Sequence, residues 1–427
     1  MKVLLLGSGG REHALAWALS QSPLCDTLYI APGNPGTFAC GVNVALDALD
    51  FEQILEFIVD KEIGLTVVGP EQPLVAGITD YLEAKGHAVF GPSTIASQLE
   101  GSKQFAKDFM ARHNIPTAAY KVFTRDYYAE ALAYVDAHNQ YPIVLKADGL
   151  AGGKGVLIPE NREELLAGLE ELRRGSLQAA AQTLVIEEFM PGEEASVFTL
   201  CDGEYFEIMG TAQDHKRQLD GDKGPNTGGM GAYSPSPLLS EDMLNSVSET
   251  IIAPTIAGMA AEGNPYKGFL YVGLMMTSAG PKVVEYNCRF GDPECQVVIP
   301  RLRSDLLTHL VQSTRGELLG EDIVFDQQYR TTVVLVSGGY PVSYDKGFPI
   351  FGLDELEKVE AVQVFHAGTK EQDGQLCTAG GRVLNVVGTG PTLQESISIA
   401  YKGLESISFE GMFFRKDIGA KGLNHVS

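Results

Sequence analysis

Four short apolar runs in the first hundred residues stop at glycine or proline, and this punctuation restricts the fold more than any other feature of the chain. Val3-Leu4-Leu5-Leu6 ends at Gly7, Leu28-Tyr29-Ile30 runs into a Pro/Gly turn over residues 32–36, residues 65–68 end at Gly69-Pro70, and Ala88-Val89-Phe90 meets Gly91-Pro92. Segments with helical composition, such as residues 12–19 and 52–61, lie between them. Continuously apolar strands alternating with helices are covered on both faces, which means βαβ units and a parallel sheet. Near Ser102 the pattern changes. A helix over residues 103–113 ends before Pro116, and residues 120–190 read as a small α+β unit. Within it, Asn161 and Glu164 form a capping-box-like pair, Leu165, Leu166, Leu169 and Leu172 make an apolar stripe, Arg173-Arg174 suit the last turn and Gly175 the stop. Strands at 184–186, 197–200 and 283–286 and helices at 241–261 and 305–313 follow. A segment rich in β-branched residues and glycine begins at Thr331. The expected class is α/β, with divisions at 1–102, 103–325 and 326–427.

Composition narrows the partners. The 427 residues carry 32 Lys and Arg against 55 Asp and Glu, a formal net charge of −23. Such a chain lacks the clustered cations with which general nucleic-acid binders displace counterions, so no nucleic-acid partner is expected. Phosphate ligands are not excluded, because salt screens distant charges over about 8–10 Å and a few cations in a cleft act locally. The 48 glycines have no G-X-Y period; they cluster at Gly7-Ser8-Gly9-Gly10, from 149 to 155 and from 224 to 231. Clustered glycine brings backbone close to a ligand or supplies positive-φ turns. Six scattered cysteines without C-x-x-C spacing suggest neither a zinc ribbon nor a disulfide framework. The apolar run after Met1-Lys2 is too short for a signal-peptide core, and no stretch approaches a membrane helix. A soluble, cytoplasmic protein with no membrane partner is expected.

Six stretches and one further acid carry candidate chemistry. Gly7-Ser8-Gly9-Gly10-Arg11-Glu12 follows a strand and opens a helix, whose free N–H groups and positive dipole end favour an anion. Glu12 stands where a dinucleotide fingerprint needs its third glycine. A single substrate phosphate is therefore expected, with a structural turn as the alternative. Lys146-Ala147-Asp148-Gly149-Leu150-Ala151-Gly152-Gly153-Lys154-Gly155 has glycine where a Walker A loop has Ser or Thr. It reads as a flap over nucleotide phosphates with Lys146 as a point charge, or as a plain glycine hairpin. Glu187-Glu188-Phe189-Met190-Pro191-Gly192-Glu193-Glu194 follows a strand; its backbone suits an adenine edge and Glu194 a ribose, an acidic turn being equally compatible. In Glu285-Tyr286-Asn287-Cys288-Arg289 the period of two puts Glu285, Asn287 and Arg289 on one face. A carboxylate beside a carboxamide oxygen suits Mg²⁺ completed by phosphates, and Arg289 suits a carboxylate or phosphate. An exposed Glu285–Arg289 pair on an edge strand is the alternative. Asp214-His215-Lys216-Arg217 and the 224–231 loop suit substrate contact, His215 being more often a structural hydrogen-bonder. Glu71 follows Gly69-Pro70, at the strand end where open α/β sheets bind ligands.

Taken in order, these residues resemble the ATP-grasp ligases and, among them, the glycinamide ribonucleotide synthetase family of purine biosynthesis. Gly7-Ser8-Gly9-Gly10-Arg11-Glu12-His13-Ala14, Gln213-Asp214-His215-Lys216-Arg217, residues 224–235 and residues 287–294 match that family's motifs, and the likeness covers the whole chain at the length of the single-activity form. The resemblance implies a Rossmann-like N-terminal parallel-sheet domain, a central ATP-grasp domain with a mobile lid at about 122–190, and a small C-terminal α+β domain. It implies joining glycine to 5-phosphoribosylamine with ATP, through glycyl phosphate, to give glycinamide ribonucleotide, ADP and phosphate.

Position by position, the resemblance puts Lys103 and Lys146 on the ATP phosphates under flap glycines Gly152 and Gly153. It puts the backbone of Glu188 and Met190 at adenine with Glu187 nearby, and Glu194 on ribose. Glu285 and Asn287 would hold Mg²⁺ or Mn²⁺. Arg289 would steady the glycine carboxylate or the transferring phosphoryl, and Asp214 the glycine amine, with Lys216 among the substrate contacts; Arg289, Lys146 and Asp214 are the catalytic set. Gly9, Gly10 and Arg11 would hold the ribosylamine phosphate, and Glu71 its sugar or amine. Many ATP-grasp enzymes have a further acidic metal ligand on the preceding strand, which is not matched, since Tyr271-Val272-Gly273-Leu274-Met275-Met276 contains no carboxylate. Partners are expected to be small molecules, and the assembly a monomer or weak dimer. Other ATP-grasp ligases, a carboxylase of the same pathway, and an ATP-binding sensor are the competing functions; a sensor has no need of the Glu285-x-Asn287-x-Arg289 set.

Overall fold

The computed structural model describes residues 1–124, 128–138, 140–150, 155–174, 183–318, 323–356, 359 and 361–426. The first unit is the expected parallel sheet. Strands β1 (Lys2–Gly7), β2 (Thr27–Pro32), β3 (Val42–Asn43), β4 (Leu65–Val68) and β5 (Val89–Phe90) run in the order β3-β2-β1-β4-β5. Helices α1 (Gly10–Leu19), α2 (Phe51–Lys61), α3 (Glu71–Ala76), α4 (Ile78–Glu83) and α5 (Gln98–Gly101) connect and cover it. The reason β1 is apolar throughout is visible in its packing: Leu4 and Leu6 join one buried cluster, Val3 and Leu5 another. The strand order reverses between β1 and β4, so α1 and α3 start on either side of the crevice where such sheets bind ligands.

Helix α6 (Lys103–Arg112) is capped by Ser102, whose hydroxyl accepts from the Phe105 N–H at 3.0 Å. It leads into a separate antiparallel sheet, β6 (Tyr120–Thr124), β7 (Ile143–Ala147), β8 (Val156–Leu157) and β9 (Thr183–Glu188), ordered β6-β9-β7-β8. With α7 (Tyr128–His138) and α8 (Arg162–Arg174) it encloses its own core of Phe123, Leu145, Leu165, Leu169, Leu172 and Leu184. Asn161 caps α8 by accepting from Glu164 N–H at 3.0 Å, while Glu164 reaches back to the Glu160 N–H rather than that of Asn161. The Arg173-Arg174 side chains and Gly175 lie outside the described residues.

The third sheet is the largest. Its strands are β10 (Glu193–Asp202), β11 (Phe206–Asp214), β14 (Gly231–Ser234), β15 (Lys267–Thr277), β16 (Gly280–Asn287), β17 (Tyr329–Val336), β18 (Val362–His366) and β21 (Arg382–Gly390). They form one antiparallel array, β16-β15-β10-β11-β14-β17-β21-β18. Two hairpins stand apart, β12 (Arg217–Leu219) with β13 (Lys223–Asn226), and β19 (Thr369–Gln372) with β20 (Gln375–Thr378). The pairing of β14 with β17, Gly231 opposite Val333, carries the sheet across the expected division at 325. Helices α9 (Glu241–Val247) and α10 (Ala253–Ala261) replace the uninterrupted helix expected over 241–261. A π-turn at Ser248–Ile252 joins them just before Pro254, which has no N–H to continue the helical ladder. The remaining helices are α11 (Cys295–Val298), α12 (Leu306–Arg315), α13 (Leu353–Leu356) and α14 (Leu393–Leu404). Among the described residues no helix is long and apolar enough to cross a membrane.

Candidate functional site

All three sheets open onto one cleft of about 670 Å³, a size usual for small-molecule sites. Nine Lys and Arg side chains line it, more than a quarter of the chain's 32, so an acidic protein still gathers cations where an anion would bind. Most of them already have partners, and those partners define the site.

At one end, Lys103 and Lys107 lie four residues apart on α6 and share a face. Glu187, buried at the end of β9, is held between two ammonium groups: Lys107 Nζ is 2.9 Å from its Oε2 and Lys146 Nζ 3.0 Å from its Oε1. A carboxylate so deep in the protein needs such pairing to stay charged. Burial pushes Lys107 down to about 8, against the opposing pull of Glu187. Lys146 also donates to the Val284 carbonyl at 3.0 Å. Asp148, which opens the glycine loop, accepts from the backbone N–H groups of Lys103 (2.5 Å) and Gln104 (3.2 Å), while Lys103 Nζ donates to the Gly149 carbonyl at 2.9 Å. The loop thus begins as a carboxylate at the positive end of α6. Gly152 and Gly153 lie outside the described residues. Glu188 and Met190 line the cleft, but the Glu188 N–H is committed to the Ala119 carbonyl at 2.9 Å. An adenine contact at Glu188 therefore falls to its carbonyl.

Across the cleft, Glu285 and Asn287 project from β16. Burial would raise the Glu285 carboxyl, but Lys216, Lys146, Lys103 and Arg289 together hold it below the usual carboxylate range. Lys216 Nζ lies 3.8 Å from Glu285 Oε1 and 2.5 Å from Glu194 Oε2, so the expected ribose acceptor is tied to the metal edge by one lysine. The hydrogen-bonding neighbours orient the Asn287 amide with its nitrogen 2.9 Å from Glu100 Oε1, which turns its oxygen away from that carboxylate. β16 is an edge strand, as the ion-pair alternative required, yet Arg289 does not pair with Glu285. Its Nε is 3.2 Å from Glu71 Oε2 and its Nη2 is 2.6 Å from Glu100 Oε1. On β15, Tyr271 and Gly273 stand opposite Asn287 and Glu285, so no acid faces them from that strand. Among the described residues no group of three or more His, Cys, Asp or Glu is assembled to hold a metal alone. One carboxylate and one amide oxygen facing an open cleft fit a hard cation whose other ligands are nucleotide phosphates and water.

At the crevice of the parallel sheet the sequence expectation changes. The Gly9 N–H donates to Glu12 Oε2 at 2.7 Å and the Arg11 N–H to Asp292 Oδ2 at 3.4 Å. Carboxylates of the chain itself thus meet two of the amides expected to hold a phosphate, those of Gly9 and Arg11, and neither Gly9 nor Gly10 lines the cleft. Glu12, which stands where a dinucleotide fingerprint needs its third glycine, is the carboxylate that meets the Gly9 amide. Gly10 serves packing instead: a Cβ there would stand 2.4 Å from Asn385 Nδ2 and 2.5 Å from Gln296 Nε2. Arg11 does line the cleft, buried, with its Nε 2.6 Å from Glu12 Oε1 and its Nη1 3.9 Å from Glu71 Oε2. Burial would raise Glu71, but Arg289 and then Arg11 bring it down to about 2. Asp214 and Glu294 form an acidic pair on the cleft wall, each raised by burial and by the charge of the other or of nearby acids, with Lys216 opposing. His215 is buried, pushed down to about 4 by burial and by Arg415, and accepts from the Gly419 N–H at 3.3 Å, the structural hydrogen-bonder expected.

Sequence reasoning missed Lys107, Glu100, Asp292 and Glu294 as site residues. Lys107 carried a usable signal, its i+4 spacing from Lys103. Asp292 and Glu294 stood inside the quoted motif without a role. Glu100 gave none.

The three family models that match are the phosphoribosylglycinamide synthetase N domain over residues 1–100, its ATP-grasp (A) domain over 101–295 and its C domain over 330–421. Among curated relatives, a phosphoribosylamine–glycine ligase of Mesorhizobium japonicum is 52% identical over 419 residues, covering 98% of each chain. One of Escherichia coli O157:H7 is 49% identical over 428 residues, covering 99% of each. The crystal structure of the phosphoribosylamine–glycine ligase of Thermotoga maritima superposes with a TM-score of 0.85 at 36% identity, covering 98% of this chain and 100% of that one.

Proposed function

The chain belongs to the phosphoribosylglycinamide synthetase family, and from that premise we propose that its cleft joins glycine to 5-phosphoribosylamine, converting ATP to ADP and phosphate and releasing glycinamide ribonucleotide. The protein is an ATP-dependent carboxylate–amine ligase of purine biosynthesis. The observation that carries the reading is the meeting of Lys103, Lys146, Glu285, Asn287 and Arg289 around one cleft.

The roles follow from charge and position. A glycine carboxylate approaching a γ-phosphate brings like charges together, and Lys103 and Lys146 offset that repulsion from fixed positions. Glu285 and Asn287 hold Mg²⁺ or Mn²⁺, which when bound neutralises phosphate oxygens. Arg289, held by Glu71, Glu100 and the Phe290 carbonyl, offers the remaining N–H of each terminal nitrogen to the glycine carboxylate or the transferring phosphoryl. Asp214 receives the glycine amine, and Lys216 links it to Glu194 at the ribose. Arg11 and Glu71 face the phosphoribosylamine. The reaction runs through glycyl phosphate, which water would destroy, so the separate β6-β9-β7-β8 sheet with its loop, the lid at about 122–190, closes over it. The functional divisions are 1–102, 103–325 and 326–427, and the enzyme works in the cytoplasm as a monomer or weak dimer.

ADP release measured with glycine and phosphoribosylamine together, and with each omitted, tests the reading. Turnover is expected only with both; ADP release that ignores glycine would sink it.

A further inference from the structure

Glu100 sits on α5, a four-residue helix at the end of the first unit, and lines the cleft. Nothing in its sequence surroundings marks it. Its carboxylate nevertheless contacts three consecutive residues, the last of the edge strand and the two that follow it. Oε2 accepts from the backbone N–H of Cys288 at 2.7 Å and faces its Sγ at 3.1 Å. Oε1 accepts from Arg289 Nη2 at 2.6 Å and lies 2.9 Å from the Asn287 amide nitrogen.

The chemistry of those contacts is directional. A carboxylate is acceptor-only, and a carboxamide has one donor end and one acceptor end. Glu100 can therefore meet Asn287 only through its NH₂, which leaves the oxygen, the only atom of that side chain able to ligate a hard cation, on the far side. The same oxygen of Glu100 fixes the arginine two residues on. We propose that Glu100 is a positioning residue that sets the amide orientation of Asn287 and the place of Arg289 together, so that the metal edge and the glycine-carboxylate contact are aligned by one carboxylate of the first unit. This rests on the roles given above to Asn287 and Arg289.

The test compares Glu100→Gln with the wild type, and with Asn287→Ala and Arg289→Ala as controls. A glutamine at position 100 has one acceptor and one NH₂, so it cannot accept from the Cys288 N–H and from the Asn287 and Arg289 donors at once; with its oxygen on Cys288 its NH₂ faces Asn287, and an amide flip there is no longer penalised. Supporting groups behind metal ligands are typically worth 10–100-fold in affinity. The expected result is a roughly tenfold weaker Mn²⁺ affinity of the enzyme–ADP complex, read by electron paramagnetic resonance without turnover. A roughly tenfold higher glycine KM should accompany it, with the ATP KM changed less than about twofold. Glu100→Asp keeps the acceptor-only chemistry on a shorter arm; it should shift the same two constants by less, and it carries the measurement if Glu100→Gln does not fold. A variant that folds, loses thermal stability and leaves Mn²⁺ affinity and glycine KM at wild-type values overturns the proposal, because that is the signature of a purely structural acceptor for the Cys288 N–H. If Asn287→Ala and Arg289→Ala also leave these constants unchanged, the reading of the site fails and the proposal with it. If the controls shift and the Glu100 variants do not, only the positioning role is lost.

Discussion

At the scale of single residues, the site is a set of charges whose worth depends on their partners. Glu285→Ala removes the carboxylate that β16 brings to the metal edge and is expected to cut kcat by ~10²–10³; near-normal turnover at saturating Mg²⁺ would refute its assignment. Arg11→Ala carries a second consequence beyond a raised phosphoribosylamine KM. It strands Glu12 in the interior, and breaking a buried pair in this way costs about 3–5 kcal/mol, so the urea midpoint should fall sharply; an unchanged midpoint would show that Glu12 is satisfied without it. Glu71 gives a pH dependence of definite sign. Its folded pKa, about 2, lies below the ordinary 4.5, so its ion pairs with Arg289 and Arg11 stabilise the fold above about pH 4.5 and are lost as pH falls toward 2. The stability gap between wild type and Glu71→Gln should close over that window, and a gap that stays constant there contradicts the pairing. Glu285 and Asn287 were legible because strand periodicity is written locally; Arg289 reaches the same cleft from a bend two residues past the strand's end, where the period of two no longer applies. Glu100 was not, since its partners are 187 to 189 residues away and nothing local records them.

Elements explain why some expectations transferred and others did not. Strands β1, β4 and β5 were legible because they are buried on both faces and so have no polar alternation to confuse them, whereas the two-residue β3, which is not buried, left no apolar run to read. The π-turn before Pro254 was not, because a composition that favours helix does not reveal how the ladder accommodates a missing donor. The first turn of α1 was legible as an anion site but not as a filled one: the anion is Glu12, three residues on from the Gly9 amide that it caps. Helix α6 presents Lys103 and Lys107 side by side, and the second of these shares Glu187 with Lys146. With Lys107→Met, Glu187 has Lys146 as its remaining ammonium partner and holds it more tightly. The ATP KM should then rise about tenfold, equivalent to ~1.4 kcal/mol, with the glycine KM unmoved. Equal shifts in both constants would mean that Lys107 supports the cleft in general rather than the nucleotide end.

For the whole molecule, the feature of most consequence is that the large antiparallel sheet does not stop at residue 325. β14 lies between β11, which ends at Asp214, and β17, which belongs to the last hundred residues. A chain cut after residue 325 would bare the full edge of β14, and exposed edges recruit other strands. Such a truncation should be recovered mainly as aggregate in size-exclusion chromatography; a soluble monomer of native secondary structure would show that β17 is dispensable. The β6-β9-β7-β8 sheet shares no strand pairing with the large sheet among the described residues and is held to it by side chains, as by Lys146 on the Val284 carbonyl. The order in which the polypeptide is made adds a time to this geometry. When β14 leaves the ribosome its neighbour β17 is still about 95 residues from being synthesised, on the order of 5–20 s at common translation speeds. For that interval the strand beside Asp214 waits with one side unpaired, so the sheet that walls the cleft cannot be completed before the part of the chain that comes last is made.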